Sequence, residues 1–208
     1  MANKIRSGVD TSELTIGATS KAAYTTDIDS TGRDLSVQSK QTFSASGTFT
    51  PAATPTDLVV ISGSATKTVR VISMCIGTTN TAAGSQQFLL IKRGAADTGG
   101  TPVTATVVPL DSNNTATAAV IHYTANPTIN NTVGTINTIR VGTPAAIPAT
   151  WAGITDKAKV ELLDWMSNSI LDQPVTLRGT AQQLAINFNG VALVAGQTHT
   201  YTVVWMEE

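Results

Sequence analysis

Charge is what this sequence has least of. Of its 208 residues, 13% are charged, about half the usual share of roughly 25%, and Thr, Ala, Ser, Gly and Asn fill the deficit. The formal net charge is −1, and no basic or acidic block occurs anywhere. Nucleic-acid and membrane-surface binding both need a concentrated field of one sign, so neither is expected. Cysteine occurs once, at Cys75, which excludes an intrachain disulfide. There is no apolar run of about 18 residues, hence no expected transmembrane helix. The opening Met1-Ala-Asn-Lys-Ile-Arg6 leads into polar residues, so no signal peptide is expected. A surface-like composition without an export signal suits a protein released by lysis.

What is present is β-pattern. Leu184-Ala-Ile-Asn-Phe-Asn-Gly190 ends in Asn-Gly, the strongest short turn signal, because both residues tolerate positive φ. From Gln197 onward the chain alternates, with Tyr201, Val203 and Trp205 on one face and Thr200, Thr202 and Val204 on the other. A closing strand of this kind sits within a sheet so as to bury Trp205. Upstream, short β-type runs recur at Phe43–Phe49, Leu58–Ile61, Lys67–Ile76, Gln87–Lys92, Val103–Leu110, Thr117–Thr124, Thr135–Val141, Lys159–Leu163 and Val175–Arg178. Turn chemistry separates them, as in a sandwich or barrel. A chain of this length buries roughly 70% of the surface its unfolded form exposes and needs no staple.

Two segments stand apart. Residues 1–40 hold much of the charge and only scattered apolar residues, too few to fold alone, and are read as an extended N-terminal arm ordered by lying on another surface. Asp156–Leu171 offers either a helix, with Val160, Leu163, Met166 and Ile170 roughly on one face, or a strand near 158–164 followed by an irregular turn. The β character of the rest favours the strand. The domains are therefore the arm, 1–40, and a β-sandwich, 41–208. Within it, Val69-Arg-Val-Ile-Ser-Met-Cys-Ile76 is apolar on both faces, with Val69, Val71 and Cys75 on one and Ile72, Met74 and Ile76 on the other. The arm, a neighbouring subunit or an outer loop must then cover the second face.

Residues able to carry chemistry are few. Asp27-Ile-Asp-Ser-Thr-Gly-Arg-Asp34 resembles the first half of a calcium loop, but Thr31 replaces Asp or Asn and Gln38 stands where the bidentate Glu belongs. It reads as an Asp-rich turn. Nucleophilic catalysis needs a base, and only His122 and His199 are available. Both fall in β-patterned runs, His122 as a surface or hydrogen-bonded structural residue and His199 as an edge residue. Cys75 reads as core. No phosphate-cradling glycine motif is present. The Asn113-Asn-Thr115 and Asn130-Asn-Thr132 triplets read as polar loops. Of Trp151, Trp165 and Trp205, only Trp151 is a candidate for exposed sugar stacking. No catalytic, cofactor-binding or metal-ligating residue is assigned, and no enzyme is expected.

Three stretches carry a resemblance. Phe43-Ser-Ala-Ser-Gly-Thr-Phe-Thr-Pro-Ala-Ala-Thr-Pro-Thr-Asp57, Asp172-Gln-Pro-Val-Thr-Leu-Arg-Gly179, and Leu184–Gly190 with the ending Val204-Trp-Met-Glu-Glu208 are similar to small virion structural proteins of tailed bacteriophages. The likeness spans roughly residues 41–208. It implies an all-β fold, an antiparallel β-sandwich that is a jelly roll or similar to one, self-associating and displayed on the virion, often as a capsid decoration (cement) protein. The implied partners are the major capsid protein and neighbouring copies of the same chain, closed symmetry of three fitting a capsid's local three-fold positions. A tail- or fibre-associated receptor-binding module, using loops such as 94–100 or 142–151, is the alternative.

Overall fold

The computed structural model describes residues 4–6, 13–15, 40–79, 82, 84–143, 161–166 and 173–208. Every regular element among them is a β-strand. The chain divides into two compact units, Met1–Lys40 and Gln41–Glu208. In the first, β1 (Lys4–Arg6) and β2 (Glu13–Thr15) form an antiparallel pair, with Ile5 in register with Leu14. The Asp27–Asp34 turn lies outside the described residues.

The second unit is a β-sandwich of two antiparallel sheets packed against each other. The first sheet runs in the order β10 (Thr132–Thr143), β6 (Gly84–Arg93), β13 (Gln183–Asn187), β4 (Asp57–Ser62), β9 (Val120–Ala125), β7 (Thr101–Thr104). The second runs β11 (Glu161–Met166), β5 (Thr68–Thr79), β14 (Thr198–Glu207), β3 (Gln41–Phe49), β8 (Val107–Pro109). Along β5, β11 pairs with Ser73–Gly77 and β12 (Val175–Arg178) with Thr68–Val71. The segment open between helix and strand is thus a strand at Glu161–Met166, and its flanks, 156–160 and 167–171, lie outside the described residues.

The main core is a cluster drawn from both sheets, with Phe43, Val71, Met74, Val203 and Trp205 on one side and Leu58, Ile61, Phe88, Leu184 and Ile186 on the other. The alternation in β14 has the expected consequence, since Tyr201, Val203 and Trp205 are all buried. It also continues at both ends, turning His199 and Glu207 inward. β14 lies between β5 and β3, which corrects the placing of His199 at an edge. Its register partner for Tyr201 is Gly47, and a Cβ there would stand 2.8 Å from the Tyr201 hydroxyl. The glycine that interrupts the first β-run is the floor on which the Tyr201 ring rests.

Two expectations change at this level. The β5 run is not apolar on two opposite faces. A bulge between the Val71 and Ser73 pairings shifts the alternation, so Val69, Val71, Met74 and Ile76 all point to the core. Cys75 is displaced to the other face, where it is half-buried and its Sγ reaches the Thr202 carbonyl oxygen at 3.7 Å. It is not a core residue. Asn189-Gly190 does adopt positive φ, 62° and 67°, but it does not close a hairpin, because β13 and β14 belong to different sheets. The turn instead clasps the β3–β4 connection, with Phe188 N donating to Thr56 O at 2.7 Å and Gly190 N to Pro55 O at 2.9 Å.

Candidate functional site

Both histidines lie inside the sandwich. His199 is fully buried among Phe49, Phe88 and Phe188, with ring centroids 5.8, 5.9 and 6.0 Å away. Neither of its ring nitrogens makes a hydrogen bond of normal geometry, although the Gly77 backbone lies close enough to favour the charged ring. Burial lowers its pKa to about 4, only partly offset by the backbone of Gly77. His122 sits on the opposite sheet, its Nδ1 3.1 Å from the Tyr201 hydroxyl and its ring 4.6 Å from that of Phe49. Burial lowers its pKa as well, and raises that of Tyr201. Phe49 therefore separates two neutral imidazoles in an aromatic interior. His122 is the hydrogen-bonded structural residue of the two. A general base must reach a substrate's proton, and the phenylalanines around His199 leave it no such reach.

Glu207 anchors the second polar cluster. Its carboxylate accepts from the amides of Thr117 and Ala118 at 3.0 and 2.9 Å, from Thr117 Oγ1 at 2.7 Å, and from Trp205 Nε1 at 3.0 Å. Lys67 Nζ lies 3.5 Å away. Burial pushes the carboxyl's pKa up, but these donors outweigh it and hold it below 4.5. The cluster ties the end of β14 to the segment entering β9. Trp205 itself stacks on Phe43 at 5.8 Å.

The third cluster lies on the outer face of the first sheet, where sequence alone gave no signal. Arg93 grips Asp57 with two bonds, Nε to Oδ2 at 3.0 Å and Nη2 to Oδ1 at 2.7 Å, and both residues are buried. Asn187 Nδ2 also donates to Asp57, and Arg93 Nη1 donates to Thr132. Asp97, in the connection after β6, comes within hydrogen-bonding reach of Asp57. Burial, then the neighbouring Asp57 carboxyl, raises the Asp97 pKa to about 7 against the lesser pull of the Asn130 amide and Arg93. Burial raises Tyr123 too, with added push from Asp97 and Asp57. Positions 57, 93, 97 and 187 are too scattered to form a motif, so only the sheet brings them together.

The surface is different in kind. β10 and β7 are the edge strands of the first sheet, and β11 and β8 those of the second; β10 exposes Val133 and Ile136, β7 Val103 and β8 Val108, with Leu110 beyond β8. An open hollow of about 510 Å³ lies between the Thr50–Thr54 and Ala192–Thr198 segments. The loop 94–100 offered for receptor binding is partly folded onto the sheet through Asp97, while Gly99 and Gly100 are exposed. Trp151 and most of the 142–151 loop lie outside the described residues. Among the described residues, no three His, Cys, Asp or Glu side chains group as metal ligands. No family model, curated protein or solved structure matches the chain.

Proposed function

We propose that this chain is a non-enzymatic structural protein of a bacteriophage virion, a capsid decoration protein that binds the major capsid protein and neighbouring copies of itself. The observation that carries the proposal is strand order. Taken without β7–β9 and β11, the second sheet reads β3-β14-β5-β12 and the first β4-β13-β6-β10. That order supports a reading as two interleaved Greek keys, the winding of a jelly roll, an architecture much used in viral shells. The resemblance of residues 43–57, 172–179 and 184–208 to phage virion proteins points the same way. So does the inward turning of His122, His199 and Glu207, with edge strands rich in Thr and Val left as the contact surface. Partners held by area and by strand addition need no site, and many copies on a particle give avidity without tight single contacts.

Jelly rolls also serve as lectins, so a tail or fibre module that binds glycans is the second reading, with the Thr50–Thr54 and Ala192–Thr198 hollow as its candidate pocket. The test is deletion of residues 1–40. The truncated chain is expected to stay folded and to lose binding to expanded capsids. Undiminished capsid binding would remove the arm from the account, and selective capture by a glycan array would favour the second reading.

A further inference from the structure

Asp57 and Asp97 meet on the outer face of the first sheet with one guanidinium, that of Arg93, beside them, and that guanidinium is committed. Arg93 directs Nε and Nη2 to Asp57 at 3.0 and 2.7 Å and Nη1 to Thr132. Among the described residues, Asp97 has no cation of its own. Its Oδ1 accepts the Asn130 amide at 3.3 Å, and its Oδ2 is buried without a donor. The titratable groups that act on it are Asp57 on β4, Arg93 on β6 and Tyr123 on β9. Its other polar neighbours, Gln183 and Asn130, are uncharged. Lys92 turns away, donating to the Thr176 carbonyl oxygen at 3.0 Å. With both acids ionised, two negative charges face one positive charge where Asp57, Arg93 and the Oδ2 of half-buried Asp97 are shielded from water, and the acid lacking a partner is on the loop.

That loop is held by a short list of bonds. Asp97 N donates to Gln183 Oε1 at 3.0 Å, tying it to β13. Thr98 and Thr128 exchange amide bonds of 3.1 and 2.7 Å, and Asn130 Nδ2 donates to Ala96 O, tying it to the β9–β10 connection. We propose that the Asp57–Asp97 contact is a pH-operated latch. It is closed while the two acids share a proton and released when both are ionised, and it holds segments 96–98 and 128–130 against the sheet. Tyr123, which senses both carboxyls, belongs to the apolar cluster with Val60 and Ala185. Release therefore admits water to that cluster and loosens the entry to edge strand β7. It is a local change, since the main core lies on the sheet's other face.

Amide hydrogen exchange of the full chain tests the latch. Between about pH 6 and pH 8.5, after correction for intrinsic exchange, the protection of Asp97, Thr98, Thr128 and Asn130 amides is expected to fall about tenfold, the change that linkage gives for a carboxyl of pKa 3.8 open and about 7 closed. Core amides of β14 are expected to keep their protection. Asp97→Asn, whose amide can donate to Asp57 without charge, is expected to keep the four loop amides protected at both pH values. Equal protection of these amides in the wild-type chain at both pH values, or the same loss in the variant, would overturn the proposal. A carboxyl-carbon titration of the wild-type protein keeps the test independent of the variant's folding. A midpoint for Asp97 near 7 supports the latch, and one near 3.8 overturns it.

Discussion

His199 and Asp97 pull the stability of this protein in opposite directions with pH. Unfolded histidine takes its proton near 6.5, whereas folded His199 resists until about 4. Its neutral burial is therefore fully in force above 6.5, and stability is lost as pH falls from 6.5 toward 4. His122, also lowered by burial, adds to that loss. Asp97 takes its proton near 7 when folded and near 3.8 when unfolded, so its contribution weakens as pH rises from 3.8 through 7. Over the shared interval the two slopes partly cancel. Urea unfolding at several pH values between about 5 and 8 separates them. Asp97→Asn is expected to steepen the loss on acidification and to be more stable than the parent at the alkaline end. His199→Leu is expected to flatten the acid limb. Unchanged slopes in both variants would contradict these roles.

The decisive element is β14, which lies between β5 and β3 and lines the core with every second residue from His199 to Glu207. Trp205→Ala removes a fully buried side chain stacked on Phe43, an expected cost of about 3–5 kcal/mol. Glu207→Gln leaves donors from Thr117, Ala118 and Trp205 poorly met, an expected cost of about 1–3 kcal/mol. Denaturant midpoints measure both, and a Glu207→Gln protein as stable as its parent would show that the cluster anchors nothing. This strand was also the most legible part of the sequence, because its alternation over Tyr201, Val203 and Trp205 depends only on its own side chains. β5 was harder. Its alternation breaks at the bulge opposite Val204 and Trp205, a property of the pairing that sends Cys75 outward and Met74 inward. The Asn189-Gly190 turn was legible as a turn but not in its partner, since nothing local says that it clasps residues 55–56. The same limit hid the acid pair, whose members come from β4 and the connection after β6. The histidines showed their strands but not their depth, which the phenylalanines of three other segments decide.

At the scale of the whole molecule, the chain combines a sandwich, Gln41–Glu208, with a separate unit, Met1–Lys40. The sandwich turns its histidines and Glu207 inward and presents edge strands outward. A protein built to cover a shell needs such a surface, repeated many times, more than it needs a pocket. Deleting residues 1–40 tests whether folding and attachment can be separated. The more direct measurement is the number of copies per purified virion, obtained by quantitative mass spectrometry against the major capsid protein. A capsid decoration protein is expected in hundreds of copies per particle. Tens or fewer would place the chain on the tail, and absence from purified particles would contradict a virion role altogether.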